Sequence, residues 1–211
     1  MRKLITIIII LTIGLKLFGQ DNSSEITNNN KYFAWFYPSN ATHVYGFMFN
    51  FSLGLPDKKS IFRYPITYGC EINLNPLGII YPFAVAAYSI DPSTHTPLVD
   101  SYDSVQLYSF KKVHGLQIGL ANTELTIING MDINLTGSMS SITNGLTISL
   151  LMNKHYLSNG LTVAILGNHD TKCNGVQIGL INSSMNLKGV QIGLWNKNQK
   201  RKMPLLNWSF K

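Results

Sequence analysis

From residue 115 onward the chain alternates apolar and polar positions in a short phrase that keeps returning. Gly115-Leu116-Gln117-Ile118-Gly119-Leu120 is followed by versions beginning at Gly130, Gly145, Gly160, Gly175 and Gly189, at steps of 15, 15, 15, 15 and 14 residues. Counted from each glycine, place one holds Leu116, Met131, Leu146, Leu161, Val176 and Val190. Place three holds Ile118, Ile133, Ile148, Val163, Ile178 and Ile192, and place five Leu120, Leu135, Leu150, Ile165, Leu180 and Leu194. Residues two apart on a strand share a face, so these three columns make one apolar face. The opposite face carries Gln117, Asp132, Thr147, Thr162, Gln177 and Gln191 at place two. At place four it carries the small set Gly119, Asn134, Ser149, Ala164, Gly179 and Gly193.

A fourth apolar column reads at place twelve: Ile127, Ile142, Leu157 and Leu187, with Lys172 as the exception. Places five and twelve differ by an odd number, so one straight strand cannot point both the same way, and a corner must separate them. Asn129, Asn144, Asn159 and Asn174 each precede a glycine, and both residues of an Asn-Gly pair tolerate positive φ. Each copy therefore reads as strand, bend, short strand, bend. So short a unit cannot bury a core by itself and must lean on its neighbours.

The pattern predicts an all-β fold, a parallel β-solenoid of 15-residue coils with the apolar columns packed into a shared interior. The alternative is an antiparallel β-sheet or small outer-membrane β-barrel. A membrane strand wants about 9–11 alternating residues, more than each copy offers. In the solenoid, 197–211 is a basic turn and cap strand, with Trp195 and Trp208 covering the open end. In the barrel, Leu206-Asn207-Trp208-Ser209-Phe210 would be the last strand.

Upstream, 32–114 reads as a degenerate part of the same array with long insertions. Gly46-Phe47-Met48-Phe49-Asn50-Phe51 and Gly69-Cys70-Glu71-Ile72-Asn73-Leu74 repeat the spacing of the later phrase. Leu55 to Pro65 interrupts them, as does a segment from Tyr81 to Lys112 whose length marks it as functional or mobile. Polar residues 20–31 read as a disordered leader. Arg2 and Lys3 followed by the apolar run Leu4–Leu15 read as a signal peptide over 1–19, with cleavage near Gly19 or Gln20. An uncleaved anchor is the other reading.

Gly175-Val176-Gln177-Ile178-Gly179-Leu180-Ile181-Asn182 and Gly189-Val190-Gln191-Ile192-Gly193-Leu194-Trp195-Asn196 resemble the units of an uncharacterised family of bacterial surface-repeat proteins. The likeness covers 115–196 well and the earlier half weakly, and middle copies such as Gly130-Met131-Asp132-Ile133-Asn134 depart from the Gln-x-Gly form. It implies an exported, envelope-associated protein at the cell surface, outer membrane or periplasm, and brings no catalytic residues.

Composition agrees with a turn-rich β protein. Apolar residues make up 45 % of the chain and charged residues only 13 %, about half the usual share. The formal charge of +7 includes Arg2, Lys3 and Lys16 of the signal segment, which leaves +4 without them. Five further cations lie between Lys197 and Lys211, a tail feature without the aromatic interleaving of a nucleic-acid surface. Cys70 and Cys173 read as unpaired buried thiols, with a disulfide as the alternative.

Reactive groups cluster at His169-Asp170 with Cys173 nearby, and His155 and Asp170 share place ten of adjacent copies. They read as a structural ion pair or an exposed loop, because no second His at ligand spacing suggests a metal. Asp91, Asp100 and Asp103 read as solvated acids of the long insertion. No phosphate loop, nucleophile elbow or zinc signature occurs, so the expectation is a non-enzymatic protein with no cofactor, catalytic or metal site. Expected partners are an envelope component, a glycan or a membrane, and not nucleic acid. The polar face through Gln117, Thr147, Thr162, Gln177 and Gln191 is read as covered by the Tyr32–Phe110 region, with a flat binding surface as the alternative.

Overall fold

A computed structural model describes residues 29–51, 64–76, 111–122 and 125–210. The signal segment, Asp91, Asp100 and Asp103 lie outside the described residues, as does nearly all of the Tyr81–Lys112 insertion.

The strands are β1 (Asn30–Tyr37), β2 (His43–Asn50), β3 (Ile66–Asn73), β4 (Lys111–Asn122), β5 (Thr126–Ser149), β6 (Met152–Ala164), β7 (Gly167–Ile178), β8 (Ile181–Lys197) and β9 (Lys202–Ser209). They follow one another in chain order through a single sheet, parallel from β1 to β8, with β9 antiparallel on β8. Parallel in-register stacking of each coil on the last makes this a β-solenoid, and the antiparallel barrel is set aside. β1 begins at Asn30, so the leader expected through residue 31 ends a little sooner.

The glycine column fixes the register. Gly46 pairs with Gly69, Gly69 with Gly115, Gly115 with Gly130, and so on to Gly175 with Gly189, so the two early phrases are true coils. All eight glycines have φ between 122° and 150°. A Cβ at any of Gly46 to Gly189 would overlap the carbonyl oxygen of the column residue one coil earlier, so only glycine fits. The first coil, which the sequence does not reveal, puts Phe33 in this column at φ 79°. Among the described residues no coil precedes it, and its side chain is 81 % exposed.

The expected interior is inverted. Places two, four, eight, ten and thirteen point inward, and most of what they hold is polar. In the coil of Gly145 the buried set is Thr147, Ser149, Asn153, His155 and Ser158, and in that of Gly130 it is Asp132, Asn134, Ser138, Ser140 and Thr143. Places one, three and five face out: Leu135, Leu150, Ile165, Leu180 and Leu194 are all exposed. Period-two alternation says which residues share a face, but the same pattern fits either face inward. What decides is the narrow lumen. Backbone groups at the corners of each coil need hydrogen bonds, and short polar side chains supply those where aliphatic ones could not.

Ladders along the axis do this work. Asn153 donates to the Asn168 side chain at 3.0 Å, Asn168 to Asn182 at 2.8 Å and Asn182 to Asn196 at 2.9 Å. The same amides donate to backbone oxygens of Val163, Ile178 and Ile192, tying one wall to the next. A second ladder runs along the Asn-Gly corner, where Asn174, Asn159 and Asn144 each donate to the Asn one coil back at 2.6–2.8 Å. Toward the N-terminus that corner becomes aromatic: Tyr32, Tyr45, Tyr68 and His114 stack with centroids 4.9–5.3 Å apart.

Apolar burial is limited to small clusters: Ile127, Ile142 and Leu157 near Tyr156; Tyr37, Ala41, Val44, Met48 and Tyr64 at the N-terminal end; and Ala121 beside Met139 and Met152. Val113, Ile128 and Leu187 are buried among the inward columns. Leu187 does not join the column of Ile127, Ile142 and Leu157, because the 14-residue step lacks one corner residue. It pairs with Cys173 in the inward column one place on. β9 caps the array as expected, but Trp195 and Trp208 lie exposed on the outer surface. Asn207 is the fully buried residue, donating to Gln191 Oε1 at 2.8 Å.

Candidate functional surface

Ionisable groups are spaced along the inside of the tube. At one end Glu71 is paired with Lys111 and accepts from Asn50 and Thr67, each at 3.1 Å. Asp132 is wholly enclosed and accepts from Asn134 at 2.8 Å and Ser138 at 2.5 Å. Burial pushes its carboxyl above the usual range, against the pull of Ser138, Asn134, His155 and Lys111. Asp170 accepts from His155 Nδ1 at 2.9 Å, Ser158 at 2.5 Å and Gln177 at 2.8 Å. Gln191 donates to Gln177 at 2.7 Å, so a one-way run of amides from Asn207 ends on the Asp170 carboxylate.

Ser158, His155 and Asp170 carry the residue types of a hydrolytic triad, but not its wiring. Both Ser158 and His155 bond to the carboxylate, whereas a nucleophile must be held by the histidine. The place-ten pairing read from the sequence is confirmed as a buried contact. His169, one place before Asp170, faces away from that row; burial lowers its pKa, Asp170 opposes this and Lys154 adds to it. Among the described residues no group of three His, Cys, Asp or Glu side chains is placed to hold a metal ion.

Cys70 and Cys173 are both free thiols. Cys173 lies inside the tube, where burial first, and Asp170 second, push its thiol up to about 12. At that value the nucleophilic thiolate is scarce at neutral pH.

The polar column considered as a binding surface is lumen. Gln117, Gln177 and Gln191 are fully enclosed, and Thr147 and Thr162 nearly so. What the protein offers outward is the apolar face. From Phe47, Phe49 and Phe51 in the coil of Gly46 to Val190, Ile192 and Leu194 in that of Gly189, places one, three and five hold no polar or charged side chain other than the thiol of Cys70. Place six continues it with Leu151, Leu166, Ile181 and Trp195 in the later coils. The signal was present in the sequence as unbroken aliphatic columns, but they were assigned to the wrong side of the strand. The place-eight amides were missed because Asn is read first as a turn residue.

No family model, curated protein or solved structure matches the chain.

Proposed function

We propose that this is an exported, non-enzymatic β-repeat protein of the cell envelope, whose outward apolar face is its binding surface. The observation that carries the reading is that face itself. Contiguous exposed apolar patches beyond a few hundred Å² mark binding sites on soluble proteins, and here aliphatic and aromatic columns run the length of the array. The enclosed ionisable groups support a non-catalytic role, because each carboxylate is occupied in bonding the tube together. The leader-like N-terminus and the likeness to surface-repeat units favour the envelope over the cell interior.

Fractionation of cells producing the full chain tests this. The reading expects a product trimmed near Gly19 or Gln20, recovered with the envelope or outside the cell. Full-length protein recovered in the cytosolic fraction would contradict it.

A further inference from the structure

We infer that the apolar face seats on an anionic lipid leaflet, with the solenoid lying against the membrane surface and not crossing it. The inference rests on the envelope-surface reading above and names the partner.

The face is large and uninterrupted. At about 4.8 Å per coil and 3.3 Å per residue, places one to five across eight coils cover roughly 34 by 13 Å. Leu135, Ile165 and Leu194 are 56 %, 55 % and 62 % exposed, so these are true surface positions. A protein partner is normally met by an apolar centre inside a polar rim. Here one margin is the tyrosine row of Tyr32, Tyr45 and Tyr68, and the C-terminal end carries Trp195 and Trp208. Amphipathic rings of this kind sit at the level of lipid headgroups.

Charge chooses the lipid. Among the described residues the acidic side chains are Glu71, Asp132 and Asp170, and all three are inside the tube. Lys188, Lys197, Lys200, Arg201 and Lys202 are exposed. Among the described residues the outward-facing charge is therefore of one sign. Two copies placed face to face would gain, among these residues, no opposite charge from each other, whereas an anionic leaflet attracts every exposed cation near its surface. An apolar face, aromatic margins and the exposed cations at the C-terminal end together match the requirements of interfacial binding.

Flotation of the purified mature chain with lipid vesicles tests the assignment. One set is phosphatidylcholine alone, and the other contains about a third phosphatidylglycerol. The expected result is co-flotation with the anionic vesicles and at least about tenfold weaker partition to the neutral ones. Leu135→Glu with Ile165→Glu should abolish flotation while the β-type circular dichroism is unchanged, since both positions are exposed. Lys197→Glu, Lys200→Glu and Lys202→Glu together should remove the preference for phosphatidylglycerol. Folded wild-type protein that stays at the bottom of both gradients would overturn the inference. So would a wild-type dimer in sedimentation that Leu135→Glu and Ile165→Glu dissociate, because a second copy would then cover the face. Neither result touches the export reading, which fractionation decides separately.

Discussion

Two residues show most sharply how position in the array governs what is allowed. Gly145 sits at φ 137° with the Gly130 carbonyl where its Cβ would go, whereas Phe33 fills the same column in the first described coil, with positive φ. Gly145→Ala must either push adjacent coils apart or abandon the conformation, and should cost at least about 3 kcal/mol or prevent folding. Phe33→Ala should stay within about 1 kcal/mol of the wild type. Urea denaturation followed by circular dichroism compares them, and equal losses would mean that the column does not stack as described. Asp132 gives a pH test. Burial raises its pKa, so the folded chain keeps a proton that the unfolded chain releases above its ordinary value of 3.8. Its contribution to stability is full below that value and falls as pH rises through the higher folded one. Asp132→Asn, which keeps the shape and can still pair with Asn134 and Ser138, should flatten this decline and equal or exceed the wild type in stability at pH about 8. A steeper loss in the variant would contradict the assignment.

At the scale of one coil, places two and four trade size in several of the later coils, though Met48 stands with Asn50, Glu71 with Asn73 and Asp132 with Asn134. Gln117, Gln177 and Gln191 each go with glycine two places on, while Thr147 and Thr162 go with Ser149 and Ala164. A Cβ at Gly179 would come within 2.7 Å of the Ala164 carbonyl oxygen, 3.0 Å of Asn168 Nδ2 and 3.2 Å of Asn182 Oδ1, so at that coil place four is hemmed in by the preceding coil and the amide ladder. Thr162→Gln alone should destabilise by about 1–3 kcal/mol through overpacking, and adding Ala164→Gly should recover most of it. Additive losses in that double-mutant cycle would show that the two places do not compete for room. The sequence already displayed these pairs as Gln-Gly, Thr-Ser and Thr-Ala, and only their enclosure gives the exchange of size a physical meaning. The same limit applies to the 14-residue step: its existence was legible, yet the displacement of Leu187 into the Cys173 column follows from which corner lost the residue.

Over the whole molecule, the two early coils at Gly46 and Gly69 were readable from spacing, and the parallel stack, the His155–Asp170 contact and the C-terminal cap followed once the solenoid was preferred to an antiparallel barrel. Which side of the wall faces in was not. Alternation is symmetric between inside and outside, and the habit of sending aliphatic residues inward fails for a lumen too narrow to leave its corner backbone groups unbonded. Amide ladders fill that lumen instead, and apolar surface is left outside for a partner. Cysteine accessibility at two neighbouring residues, Thr147 and Ile148, asks this directly. In a Cys70→Ser, Cys173→Ser background without lipid, Ile148→Cys should react with a thiol reagent at close to the unfolded rate. Thr147→Cys, enclosed at 1 % exposure, should be protected until the protein unfolds. Rapid labelling at 147 with protection at 148 would contradict the polar interior and everything built on it.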